Sequence, residues 1–124
     1  MRQVWAEPAP FFDAVVAAAQ AASITGVNID WEPTSGGGAP KLTKQDPIDY
    51  ANFLDALAVA LHAQGILVSV DVATWSKVWD LSLISATRVD YIMNMETCMC
   101  PTTTPSNTHR HRLPLTLDFV RRQS

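Results

Sequence analysis

The sequence has 124 residues, 48% hydrophobic and 17% charged, which is typical of one modest globular domain and excludes a disordered chain. The net charge of −3 divides into −6 over residues 1–100 and +3 over residues 101–124. The main body therefore lacks the excess of positive charge that is typical of nucleic-acid-binding proteins. No apolar run reaches the roughly 18 residues that a membrane-spanning helix needs, and we expect no membrane partner.

Targeting and metal signals are weak. The first residues contain no charged region followed by an apolar block, so no signal peptide is predicted. The sequence does not indicate a cellular compartment. Cys98 and Cys100 are separated by one residue, which disfavours a disulfide bond between them. With His109 and His111 they make four potential zinc ligands, but the spacing fits no familiar structural site and we predict no metal.

The first elements are a helix and a strand. Residues 11–22 are rich in helix formers and nearly apolar on all sides, which predicts a buried helix. After Gly26, period-two alternation predicts a strand. Three polar side chains there alternate with three apolar ones, namely Asn28, Asp30 and Glu32 with Val27, Ile29 and Trp31. Residues 33–45, with two prolines and three consecutive glycines, predict a loop.

The next helix has the clearest boundaries. Asp46 is placed to cap its N-terminus, Pro47 suits the first helical position, and Gly65 suits the C-terminal stop. Residues 66–73 then predict a strand with two different faces. One face is apolar, with Ile66, Val68, Val70 and Val72, and the other is mixed, with Leu67, Ser69, Asp71 and Ala73.

A short helix around Leu81–Thr87 and a third strand over Arg88–Thr97 complete an alternating pattern of helices and strands. This pattern predicts neighbouring parallel strands, and hence an α/β fold. Polar positions on one strand face favour a (β/α)8 TIM barrel, whose inward face carries polar groups near its mouth. Such a barrel takes about 250 residues, so we expect a partial barrel over residues 1–100.

The tail of the chain differs from this body. Residues 101–124 change in charge and composition and contain no clear alternation of strand and helix patterns. We expect an atypical, irregular segment there. One hypothesis is that it is read-through sequence at the end of a truncated gene.

Asp30 and Glu32 are two carboxylates on one face of one strand. Like charge and partial burial both raise a carboxyl pKa, which is how a protein keeps one carboxylic acid protonated near neutral pH. An acid of that kind at a barrel mouth is suited to protonating a leaving-group oxygen. The alternative is a surface strand whose acidic residues face water, because period-two patterns are common.

The stretch "GVNIDWE" resembles the active-site strand of family 18 glycoside hydrolases, the chitinase-like enzymes, whose pattern is D-G-x-D-x-D-x-E. The resemblance continues through the helix that contains Tyr-Ala-Asn-Phe and through "LVSVDVATW", and it covers about residues 4–98. It implies barrel strands 4 to 6 with their helices.

The resemblance also implies roles. Glu32 would be the general acid/base, and Asp30 would orient and charge-balance the N-acetyl group whose carbonyl attacks the anomeric carbon, a substrate-assisted retaining mechanism. Asn28 stands at the family's middle aspartate, where it can hydrogen-bond Asp30 but cannot share a proton as a carboxylic acid. Thr25 stands where the family's first aspartate belongs.

Three further residues are candidate substrate contacts. Met95 matches the start of the family's Met-x-Tyr-Asp motif on the sixth strand, but Thr97 and Cys98 replace its Tyr and Asp. Trp75 could stack on a sugar face or pack under a loop, and Asp71 could act beside the site or be a hydrogen-bonded barrel residue.

The implied partner is chitin or another oligosaccharide of β-linked N-acetylglucosamine, without a cofactor. The open sheet edges of a partial barrel also predict self-association. Proteins of the parent family are often secreted or lysosomal. Two alternatives remain, a non-catalytic chitinase-like carbohydrate-binding protein, which the departures at Thr25 and Asn28 favour, and an inactive truncated product.

Overall fold

The computed structural model describes residues 1–33, 41–74 and 76–95. Within these ranges the chain forms helices and strands in an alternating order from the second helix onward. They are α1 (Arg2–Ala6), α2 (Ala9–Ala21), β1 (Gly26–Ile29), α3 (Asp46–His62), β2 (Leu67–Val72), α4 (Leu81–Ile84) and β3 (Tyr91–Asn94). The strands are shorter than the sequence pattern predicts, because strand pairing ends before the alternation of polar and apolar residues does.

The three strands form one parallel sheet in the order β1-β2-β3. Val27 pairs with Val68 and Ile29 pairs with Val70, and Val70 in turn pairs with Ile92. This register aligns apolar side chains on one face and polar side chains on the other. The prediction of neighbouring parallel strands is confirmed, and the described fold is a partial α/β fold with helices and strands in alternation.

The core lies between α3 and one face of the sheet. Val68, Val70 and Val72 of β2 are at most 3% exposed. The buried residues of α3 that form the same cluster are Tyr50, Phe53, Leu54, Leu57, Ala58 and Leu61. Burying an aliphatic side chain of this size stabilises the fold by about 1.5–3 kcal/mol. This packing fixes which face of the sheet points away from the helices.

The opposite face of the sheet carries the polar residues and is exposed. Asn28 and Asp30 are exposed, and so are two large apolar side chains, Leu67 at 45% and Met93 at 42%. Parallel sheets occur almost only with both faces covered. A face that combines hydrogen-bonding groups with apolar groups is suited to contact with further structure or with a ligand.

Residues 11–22 do form most of a helix, α2, but the prediction that this helix is buried is wrong. In α2 only Ala19 is buried, while Phe11 and Phe12 are half-buried against Phe53 of α3. The run looks apolar on all sides because of its alanines, which need no burial to be stable in a helix. No helix in the described part of the chain is both long enough and apolar enough to cross a membrane.

Asp46 has a different role from the predicted N-terminal cap. The cap position is Gln45, and Asp46 is the first residue of α3. Its side chain is 2% exposed and pairs with Arg2 of α1 through two hydrogen bonds, of 2.6 and 2.7 Å. Asp46 also accepts hydrogen bonds from the backbone N–H and the hydroxyl of Thr43. The carboxylate therefore fastens α1 and the segment before α3 to the start of that helix.

Two aspartates fix the chain just before β3. The Asp90 carboxylate accepts a hydrogen bond from the backbone N–H of Val68 at 2.7 Å and lies 2.9 Å from Nε2 of His62. Asp55 of α3 accepts a hydrogen bond from the backbone N–H of Arg88 at 2.9 Å. These contacts hold β3 against β2 in the register that brings Met93 beside Asp71.

The Arg2–Asp46 pair predicts a pH-dependent stability. The Arg2 guanidinium and Thr43 hold the pKa of Asp46 well below its ordinary value, so the pair stabilises the fold fully above the unfolded pKa of about 4 and loses this effect as the pH falls further. Asp46→Asn should lower the free energy of unfolding by about 1–3 kcal/mol near pH 7, and by less near pH 3. Urea titrations at the two pH values measure this.

Asp13→Asn is the matched control, because Asp13 is exposed on α2. It should leave the free energy of unfolding within about 0.5 kcal/mol of wild type at both pH values. An equal loss for Asp46→Asn at both pH values would contradict the ionic role.

Candidate functional site

The three predicted catalytic residues lie in β1 or just after it, at the carboxyl edge of the sheet. Asn28 lies within β1, and Asp30 and Glu32 come one and three residues after its last residue, Ile29. Asn28, Asp30 and Glu32 are exposed, whereas Ile29 and Trp31 between them are half-buried. The alternation in the sequence therefore continues as an alternation in exposure beyond the paired strand. The exposed carboxylates lie at the edge where α/β sheets commonly bind ligands.

Asn28 is held by side chains of the neighbouring strand. Its amide Nδ2 donates a hydrogen bond to Oδ2 of Asp71 at 2.9 Å, and its Oδ1 accepts one from the Ser69 hydroxyl at 2.7 Å. These contacts follow from the register, because Asn28 pairs with Ser69 and Asp71 comes two residues later on the same face. The two bonds fix the Asn28 amide in one orientation. Its described side-chain partners are on β2.

Asp71 is the least exposed carboxylate on this face. It is half-buried, and it pairs in register with Met93 of β3. One carboxylate oxygen, Oδ2, accepts the Asn28 hydrogen bond. The other, Oδ1, is buried and has no hydrogen-bond partner among the described residues. Asp71 thus adds a side chain of β2 to the site, and its Oδ1 atom can accept a further hydrogen bond.

An aromatic cluster anchors the segment that carries the two exposed carboxylates. The Trp31 ring lies 4.9 Å from the Trp5 ring of α1, edge to face, and 5.1 Å from the Tyr50 ring of α3. Aromatic pairs in these arrangements contribute about 0.5–1.5 kcal/mol beyond the area they bury. Because Trp31 is held on the helix side, Asp30 and Glu32 on either side of it are directed away from the core.

Tyr50 is a residue of this region that the sequence analysis missed. It is fully buried, and burial first, then the charges of Asp30 and Asp71, raise the pKa of its hydroxyl above the ordinary value of 10. The signal was its position, because Tyr50, Leu54, Leu57 and Leu61 fall at helical spacing on the side of α3 that packs on the sheet. Its connection to the carboxylates depends on three elements meeting in space.

The other predicted contacts are placed differently. Met95 follows β3, donates its backbone N–H to the Val72 carbonyl at 2.8 Å and packs against the hydrophobic core. Thr25 precedes β1, and its carbonyl accepts the backbone N–H of Leu67 at 2.9 Å. Trp75, the Cys98–Cys100 and His109–His111 pairs, and the tail lie outside the described residues.

The arrangement is rich in hydrogen-bond acceptors. Asp30, Glu32 and Asp71 supply carboxylate oxygens, which accept hydrogen bonds from hydroxyl and amide N–H groups. Within the part of the chain that the structure describes, no group of three or more His, Cys, Asp or Glu side chains could hold a metal ion. A ligand with several hydroxyl and N–H donors matches this chemistry.

Comparison with solved structures gives one informative similarity. A crystal structure of a chitinase from Chromobacterium violaceum matches this chain with a TM-score of 0.54 and 26% sequence identity, over 68% of this chain and 26% of that chain. The chain thus spans about a quarter of the length of that chitinase, and over this part it has a chitinase-like fold. No protein-family model and no curated protein matches the sequence.

The Asn28–Asp71 contact predicts the effect of a carboxylate at position 28. Asn28→Asp would place two carboxylates at hydrogen-bonding distance, which cannot both ionise freely. We expect the free energy of unfolding to fall by about 1 kcal/mol near pH 7, since both groups are partly solvated, and to recover as the pH approaches about 5.

The matched control is Asn52→Asp, at an exposed position of α3. Urea titrations at the two pH values compare the variants. A pH dependence shared equally by the Asn28 and Asn52 variants would contradict a specific contact between Asn28 and Asp71.

Proposed function

We propose that this chain is part of a family 18-like glycoside hydrolase that acts on β-linked N-acetylglucosamine polymers such as chitin. In this proposal the sheet is a segment of a (β/α)8 barrel, corresponding to about strands 4 to 6. The observation that carries the proposal is the alternation of Asn28, Asp30 and Glu32 on the open face of the sheet, in a fold similar to part of a chitinase. The exposed Leu67 and Met93 fit this picture, because the same face would be enclosed by the rest of a barrel.

The proposed chemistry assigns one task to each polar residue. Glu32, at the outer end of the segment, donates a proton to the glycosidic oxygen and later activates water. Asp30 accepts a hydrogen bond from the acetamido N–H of the sugar, so that the acetamido carbonyl oxygen attacks the anomeric carbon. Asn28 keeps the neighbouring polar groups in order through its bonds to Ser69 and Asp71. This substrate-assisted route is an exception to the two-carboxylate scheme of most glycosidases.

A second candidate is a chitinase-like protein that binds the sugar without cleaving it. The specific observation in its favour is that the Asn28 amide is bonded to Asp71 and Ser69, where the family pattern has an aspartate able to share a proton. Thr25 also departs from that pattern. Binding with no turnover by a complete barrel that retains Asn28 would select this candidate.

Sugar binding is tested first. Chitotetraose should bind the chain, and Asp30→Asn should weaken binding by about tenfold, because a charge-assisted hydrogen bond of about 1.5–3 kcal/mol becomes a weaker neutral one. Asp13→Asn, which alters an exposed aspartate of α2, should bind as wild type does. Isothermal titration calorimetry gives the dissociation constants. Equal affinities for the two variants would contradict a role of Asp30 in binding.

Turnover is tested in a complete barrel that contains this segment. Glu32→Gln should lower kcat on an aryl chito-oligosaccharide by about 100-fold or more, while the dissociation constant of chitotetraose changes little, because the amide cannot donate the proton. Glu7→Gln, at an exposed site after α1, should retain full activity. An unchanged kcat in the Glu32 variant would contradict its assignment as the acid/base.

A further inference from the structure

Helix α1 contacts both ends of the connection between β1 and α3. Arg2 donates two hydrogen bonds to the Asp46 carboxylate, at 2.6 and 2.7 Å, and another to the Lys41 carbonyl at 2.7 Å. The Trp5 ring lies 4.9 Å, centroid to centroid, from the ring of Trp31 at the other end of that connection. One short helix therefore holds the chain where it leaves the sheet and again where it enters α3.

The two contacts lie on one face of α1. Residues three apart on a helix are neighbours, so Arg2 and Trp5 point to the same side. They meet one face of α3, because Asp46 and Tyr50 are four residues apart there, and the Trp5 ring lies 5.8 Å from that of Tyr50. The ion pair and the aromatic contact thus constrain the same short helix, and a displacement at one is passed to the other.

Trp31 connects this packing to the candidate site. It is the residue between Asp30 and Glu32, and it is half-buried while both carboxylates are exposed. These three residues lie beyond the paired part of β1, so strand pairing does not set their positions. Trp31 is held instead by its ring contacts with Trp5 and Tyr50. Because successive side chains of an extended chain point in opposite directions, fixing Trp31 also fixes the direction of its two neighbours.

We propose that Trp5 is a positioning residue of the candidate site, which acts through Trp31, and that Arg2 holds it in place. The packing of α1 then sets the direction in which the Asp30 and Glu32 side chains point. Aromatic pairs favour a narrow set of arrangements, which makes this contact more directional than ordinary apolar packing. The importance of that direction for sugar binding rests on the proposed function, but the contact between α1 and Trp31 does not.

Trp5→Leu and Trp5→Phe separate orientation from burial. Leucine keeps an apolar side chain without a ring, whereas phenylalanine keeps a ring for Trp31 to contact. We expect the backbone order parameters of Asp30 and Glu32, from amide nitrogen relaxation in NMR, to fall by about 0.2 in Trp5→Leu. In Trp5→Phe they should stay within about 0.1 of wild type. Order parameters in the leucine variant equal to those of wild type would overturn the proposal.

Arg2→Gln tests the transmission through α1, and it covers the case in which Trp5→Leu fails to fold, because the Arg2 side chain is 43% exposed. The described hydrogen bonds of Arg2 go to Lys41 and Asp46, so a purely local role would leave Asp30 and Glu32 unaffected. We expect instead that the order parameters of those two residues fall by about 0.1 or more. A change confined to the segment around Lys41 and Asp46 would overturn the proposal.

Arg88→Gln is the matched control, because it removes a second arginine–aspartate pair, the one with Asp55 of α3. That pair fastens the chain before β3 and does not involve α1. The order parameters of Asp30 and Glu32 should therefore match those of wild type. An equal loss of order in the Arg2 and Arg88 variants would overturn the proposal, since it would indicate a general loosening of the fold.

Sugar binding distinguishes this proposal from the proposed function. With both correct, Trp5→Leu weakens chitotetraose binding by about tenfold and Trp5→Phe by less than about twofold, because a site that is not pre-organised must be ordered on binding. Isothermal titration calorimetry measures both. A wild-type chain that binds no sugar, with order parameters that respond as expected, would contradict the proposed function and support the role of Trp5. Normal sugar binding with unchanged order parameters in Trp5→Leu would overturn the role of Trp5 and leave the proposed function standing.

Discussion

The packing of Val68, Val70 and Val72 against α3 is the constraint on which the rest of the structure depends. Side chains alternate along a strand, so burying these three residues turns Ser69 and Asp71 to the other face. A slip of one residue would bury the carboxylate and expose the valines, which is energetically prohibitive. The parallel register with β1 then places Asn28 next to Ser69. The candidate site is therefore a consequence of how the core is filled.

The site combines fixed and exposed groups. Trp31 is held between Trp5 and Tyr50 on the helix side, and Asn28 is held by Ser69 and Asp71 on the other side. Asp30 and Glu32 are exposed beside these anchors. Pre-organisation of this kind lets a site bind a ligand without ordering the backbone at the moment of binding. The hydrogen bond to Asp71 also links Asn28, which carries no charge, to a carboxylate of the site.

Much of the fold was predictable because the local signals agree. The alternation in residues 66–73 and the helix-forming run between Pro47 and Gly65 both predicted the observed elements, and their order predicted parallel strands. The burial of α2 was not predictable from its apolar composition, since alanine is stable in an exposed helix. The ion pair of Arg2 with Asp46 joins residues 44 positions apart, which no local pattern reveals.

The candidate site was predictable only in its linear part. The motif around Asp30 and Glu32 lies within one strand and its extension, so the sequence alone indicated it. The contact of Asn28 with Asp71 and the proximity of Tyr50 arise from three separate elements, and they depend on strand register and helix position. Met95 matches a motif position; it lies one residue beyond β3 and packs against the core.

In the proposed function, the open polar face of the sheet binds the sugar. The most direct measurement is a titration of the isotopically labelled chain with chitotetraose, followed by the backbone amide signals in NMR. We expect the shifts to be concentrated in residues 26–33 and 69–74, with the outer surfaces of α2 and α3 unchanged. Saturable shifts confined to those helices, or no saturable shift at all, would contradict it.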